Sequence, residues 1–112
     1  MELPVTKSED QIQAECFKWH WNNMPQERGL LFHVNQKARN RIEGNRMKAM
    51  GVVPGVSDLI YLRGPTFIEM KSESGGQSSE QRKFQIVVES LGYKYVICRS
   101  LEQFKNIILN LQ

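Results

Sequence analysis

Residues 54–71, PGVSDLIYLRGPTFIEMK, decide how the rest of this chain reads. Turn residues at its start give way to an apolar strand over 54–62, Arg63-Gly64-Pro65 reverses the chain, and residues 66–71 form a second strand. The pair is a β-hairpin. Side chains alternate along a strand, so Phe67, Glu69 and Lys71 share one face, while Thr66, Ile68 and Met70 share the other. Asp58 joins Glu69 and Lys71 only if paired residue numbers sum to an odd value, such as 58 with 69. A sum of 128 turns it away, and a bulge at Gly64-Pro65 could shift the register.

If the three converge, two carboxylates a few ångströms apart repel each other and are stabilised by a hard divalent cation with oxygen ligands. Magnesium or manganese suits that donor set, and the Met70 backbone carbonyl is a further candidate ligand. Such an ion polarises a phosphodiester and generates hydroxide, while the Lys71 ammonium orients the water or offsets charge developing on the phosphate. On its own, however, an acid-x-base triplet is commonplace and more often describes a solvated ion pair.

The flanking sequence supplies a frame for the hairpin. Ser8 and Gln11 have capping-box spacing, so a helix starts there and runs to about Asn23, before Pro25, with Ile12, Cys16 and Trp19 inward. Glu15 sits at the edge of that stripe, an odd place for a charge, where it reaches water, pairs with Lys18 or serves the site. Residues 30–35, LLFHVN, read as a first strand. Residues 46–50 add a short helix. A second capping box, Ser78 with Gln81, precedes Phe84, Val87, Val88 and Leu91 at helical spacing, and Gly92 ends that helix. Residues 93–98 give a fourth strand. Ser100 and Gln103 open a last helix with Leu101, Phe104, Ile107, Ile108 and Leu111 inward.

The order is αβββαβα, an α/β fold with a four-stranded mixed sheet flanked by helices. The crossover between residues 66 and 98 makes those two strands parallel. With 112 residues, 40% hydrophobic and 24% charged, the chain is expected to be one domain over 1–112. No apolar run approaches the roughly 18 residues of a membrane span, and nothing resembles a signal region, which points to the cytoplasm. Cys16 and Cys98 are far apart and lack zinc-ligand partners.

Charge is concentrated in one place. Between Gln36 and Lys48, five cations (Lys37, Arg39, Arg41, Arg46 and Lys48) oppose a single anion, Glu43. Such a segment attracts phosphate and is a candidate DNA-binding element, although charge alone equally describes a solvated loop. Gln81 is explained by its capping box but also lies on the inward stripe. His20 and His33 are assigned no catalytic role, although His33 and Asn35 share a strand face and could line a DNA groove. Trp19 follows the core stripe, Trp21 could stack on bases, and Gly75-Gly76 looks like a mobile loop near the site.

Taken together, G51-V-V-P-G-V-S-D-L59 followed by E69-M-K71 resembles the VRR-NUC family of the PD-(D/E)XK nuclease superfamily, whose fold is restriction-endonuclease-like. The resemblance runs from Glu15 through the helix after Gln81. It implies metal-dependent phosphodiester hydrolysis with Asp58, Glu69 and Lys71 at the catalytic positions. It further implies Glu15 as the helix-borne acidic ligand beside Asp58, Glu69 and Met70, and Gln81 as an accessory residue. Ser57 departs from the pattern, standing where proline is usual. Stand-alone members, bacterial or phage-encoded, resemble Holliday-junction resolvases that act as dimers, so branched DNA and a homodimer are expected. Flaps or other DNA structures, or a non-catalytic nucleic-acid-binding module, are the alternatives.

Overall fold

A computed structural model describes residues 6–34 and 37–112. Helix α1 spans Glu9–Asn23, and both halves of its capping box form: Ser8 Oγ accepts from the Gln11 backbone and the Gln11 side chain accepts from the Ser8 backbone. A single 3-10 turn at Pro25–Glu27 leads to strand β1, Leu31–His33. Helix α2 follows at Arg41–Ala49, capped by Asn40. Strands β2, Leu59–Tyr61, and β3, Thr66–Met70, make the hairpin. Helix α3 is Ser79–Ser90, strand β4 is Lys94–Cys98 and helix α4 is Leu101–Asn110.

The sheet has the order β1-β2-β3-β4, with β3 and β4 parallel and the other neighbours antiparallel. The expected α/β class, mixed sheet and crossover are therefore observed. Two expectations are corrected. Helix α2 is almost twice as long as residues 46–50 suggested, and it buries none of its residues. The strand expected over 54–62 is regular only at Leu59–Tyr61, because the residues before Ser57 form turns.

The core lies between one face of the sheet and helices α1 and α4. Leu31, Leu59, Tyr61, Ile68, Met70 and Cys98 meet Ile12 and Cys16 from α1 and Phe104 and Ile108 from α4. Trp19 packs edge-on to Phe104, as its place on the stripe implied. On the other face, the Phe67 ring meets Phe84 of α3, which in turn meets Tyr95. Val88 is the residue of α3 that is fully buried, while Val87 and Leu91, expected inward, are exposed. The helix sits rotated toward Phe84 and Val88, so its apolar stripe is only half used.

A second polar centre is buried at the far end of α1. Glu27 is 1% exposed, and its carboxylate accepts from His20 Nε2 at 3.0 Å, Tyr61 Oη at 2.5 Å and Arg63 Nε at 2.5 Å. These donors outweigh the cost of burial and hold the Glu27 carboxyl down at about 2. The Gln112 amide donates to the same tyrosine oxygen at 2.8 Å.

Candidate metal and phosphate site

The hairpin register determines whether a site exists. Leu59 pairs with Ile68, Ile60 with Phe67 and Tyr61 with Thr66, each pair summing to 127, an odd number. Extended by one residue, that register sets Asp58 opposite Glu69 on the face that also carries Phe67. Asp58 is anchored on both sides. Its carbonyl accepts from Val34 N–H and lies 2.9 Å from His33 Nδ1, and its Oδ2 accepts the Met70 backbone N–H at 2.7 Å. Buried Ser57, in the place of a proline, donates its hydroxyl to the Leu59 carbonyl at 3.2 Å.

Glu69 is 1% exposed, and its Oε1 has no hydrogen-bond partner. Burial pushes its carboxyl up, and a hydrogen bond shared with Asp58, together with the Asp58 charge, carries it to about 9, against the opposing pull of Lys71. Lys71, only 6% exposed, has no ion pair among the described residues. A nearly buried ammonium thus stands beside a buried carboxyl with an unsatisfied oxygen, the arrangement that a divalent ion and a phosphate would complete.

Among the described residues no three His, Cys, Asp or Glu side chains converge into a metal-ligand cluster. The donors at hand are Asp58, Glu69 and backbone oxygen such as that of Met70. Glu15 does not join them. It pairs with Lys7 at 2.7 Å and lines a separate cavity with Arg99 and Leu101. The charge from α1 that acts on Glu69 is that of Glu9, in the helix's first turn, with its Oε1 beside Gly75 in the loop that follows Lys71. Tyr95 lies within the field of the same two carboxyls. It is 7% exposed, and its hydroxyl is pushed up to about 12 by burial and by the charges of Glu69 and Asp58. The sequence signal for Glu9 was an acid directly after a capping serine; Tyr95 had none.

Gln81 completes the capping box of α3, its Oε1 accepting from Ser78 N–H at 2.8 Å. The backbone at Glu80 and Gln81 is also where the loop before Asp58 is clamped: a Cβ on Gly55, which has φ +83°, would lie 2.3 Å from the Glu80 carbonyl oxygen. Gly75-Gly76 belongs to a tied loop, since Arg99 Nη1 donates to the carbonyls of Ser72 at 2.8 Å and Gly75 at 2.5 Å.

Of the basic segment, Lys37 binds Asp10 at 3.2 Å and Arg39 binds Glu43 at 3.0 Å. Arg41, Arg46 and Lys48 have no ion pair within the described residues. His33 Nδ1 lies 3.0 Å from the Gln13 side-chain amide nitrogen, and Asn35 lies outside the described residues. Trp21 is 44% exposed, stacked on Phe17 with Arg28 over its ring.

No family model matches the sequence, and no curated protein matches it. Among solved structures the fold is similar to that of a "VRR_NUC domain protein". The superposition has a TM-score of 0.76 and covers 96% of this chain and 93% of that one, at 18% sequence identity. The chain therefore has a VRR-NUC-like fold over nearly its whole length.

Proposed function

We propose that residues 1–112 are one metal-dependent nuclease domain that hydrolyses phosphodiester bonds in DNA. The single observation that carries this reading is the pairing of Asp58 with a buried, unsatisfied Glu69 next to Lys71. Magnesium or manganese, held by Asp58, Glu69 and the Met70 carbonyl, would polarise the phosphate and lower the pKa of a bound water. Glu9 replaces Glu15 in this reading as the acidic group contributed by α1.

The chain's own residues account for the rest. Ionised together, Asp58 and Glu69 would form a doubly charged oxygen pair, which favours a hard cation over a monovalent one. Lys71 places a fixed positive charge where the attacked phosphate gains negative charge, without having to reorganise at the moment of reaction. The Asp58 contact to Met70 N–H holds the carboxylate in one orientation, so its position does not depend on substrate. Gln81, whose side chain closes the capping box of α3, is kept as an accessory residue through the Gly55 loop that its backbone helps to clamp. Lys37, Arg39, Arg41, Arg46 and Lys48 supply the field that draws the DNA backbone in.

Branched DNA, with four-way junctions foremost, is the proposed substrate, and two symmetric cuts would require a two-fold homodimer. The test is incubation of labelled junction, flap, duplex and single-stranded DNA with magnesium, manganese or chelator, beside Lys71→Ala. Metal-dependent cleavage that the variant loses is expected. Cleavage in chelator, or undiminished cleavage by the variant, overturns the mechanism; preference for flaps keeps the chemistry and replaces the substrate.

A further inference from the structure

Helix α2 projects from the domain and carries the most exposed large hydrophobic residue described, Ile42, at 82%. None of α2 is buried, and the radius of gyration, 15.0 Å, exceeds the ~13 Å expected for a compact chain of this length. An apolar side chain so exposed is free to be covered by a partner. Its surroundings indicate what that is. Ile42 lies next to Arg41 and one turn before Arg46, both cations without an ion pair among the described residues. An apolar tip flanked by unpaired arginines is complementary to a polyanion with an apolar interior, and it repels a second basic copy of itself.

The C-terminal end of the helix is also connected directly to the loop that delivers Asp58. That end is closed by Val52 N–H donating to the Met47 carbonyl at 2.9 Å. The loop then passes Gly55, clamped on the first turn of α3, and enters Asp58. Arm and carboxylate pair are joined through this fixed connection.

We propose that Ile42 is a wedge that inserts between bases where a DNA helix is already unstacked, while Arg41 and Arg46 hold the flanking phosphates. This rests on the nuclease reading and deepens it, since it names the feature by which branched or mismatched DNA is selected over continuous duplex. Paired duplex resists the wedge, because unstacking a step is costly; at a branch or mismatch most of that cost has already been met.

The test uses binding in chelator, so that cleavage plays no part, with 2-aminopurine at the branch of a junction or beside a mismatch. The native protein should raise its fluorescence on binding. Ile42→Ala should abolish the rise and weaken branched-DNA binding by about tenfold, with duplex binding changed by less than about twofold. Ile42→Leu should restore both. Replacing Arg41 and Arg46 by alanine should weaken all DNAs alike and flatten the salt dependence. Equal fluorescence and affinity for native protein and Ile42→Ala overturn the wedge and leave the nuclease reading intact. Absence of DNA binding by the native protein overturns both. A dimer that Ile42→Glu dissociates would assign this face to a second copy and also overturn the wedge. Because Ile42 is 82% exposed, circular dichroism and melting should be the same for all variants.

Discussion

The backbone N–H of Met70 donates to Asp58 Oδ2 at 2.7 Å, so the two strands of the hairpin are joined by a side chain as well as by their ladder. This gives Asp58 two separable roles. Asp58→Asn keeps an acceptor for Met70 and should fold normally with hydrolysis reduced by more than about a hundredfold. Asp58→Ala strands a buried donor and should cost about 1–3 kcal/mol of stability as well. Denaturant melts beside cleavage assays separate the two, and equal stability of the variants would remove the anchoring role.

Glu69 should make the metal-free protein less stable as pH rises. Its carboxyl titrates at about 9 when folded against 4.5 as a free side chain, so the folded state retains a proton that the unfolded chain gives up. Stability from this group is full below pH 4.5 and is lost progressively up to about 9. In chelator at pH 8, Glu69→Gln should melt a few degrees higher than the native protein, roughly 2–8 °C, with a flatter pH profile. With manganese the order should reverse, because the native protein alone gains from binding. A native protein that melts higher than the variant in chelator would contradict the buried-proton account.

Glu27 has the opposite sign. Its carboxyl is held at about 2, below its ordinary 4.5, so it contributes stability above pH 4.5 that disappears as the pH falls toward 2. Glu27→Gln should destabilise the protein by about 3 kcal/mol at pH 7, since His20, Tyr61 and Arg63 lose their shared acceptor charge. Near pH 2 the variant and native protein should converge. Urea titrations at the two pH values measure this.

Gly55→Ala should damage both fold and turnover. The glycine's φ of +83° already disfavours a side chain, and the added carbon would meet the Glu80 carbonyl at 2.3 Å. A loss of at least about 2 kcal/mol is expected from the backbone strain alone. Because the same loop delivers Asp58, activity in the folded fraction should also fall, whereas Gly76→Ala, which meets nothing, should be neutral. Comparing melts and specific activities of the two variants checks the claim.

Much of the scaffold was legible because local rules and global packing agree. The capping boxes at Ser8 and Ser78, the crossover into β4, and the Phe104–Ile108 face of α4 all appear where the pattern puts them. On α1 the acid whose charge reaches Glu69 is Glu9, whereas Glu15 pairs with Lys7. Periodicity gives an angle around a helix and not a position along it, and Glu15 lies six residues, ~9 Å of rise, beyond Glu9. Only the sheet's end shows which turn faces the carboxylates. Helix α2 extends beyond residues 46–50 because it buries none of its residues and so carries no apolar stripe. The Glu27 network joins residues 20, 27, 61, 63 and 112, and no spacing rule connects them. The register at Asp58 was open for a similar reason: the turn at 62–65 does not by itself fix which residues pair.

That register also sets the chain's tolerance for insertions. Extra residues within 62–65 lengthen a turn and leave the parity of Asp58 and Glu69 unchanged. One extra residue between Asp58 and Leu59 reverses the pleat and carries the carboxylate to the packed face, with the strand pairing intact. Relatives of this chain should therefore vary freely in hairpin length while holding the spacing from Asp58 to the first paired residue constant.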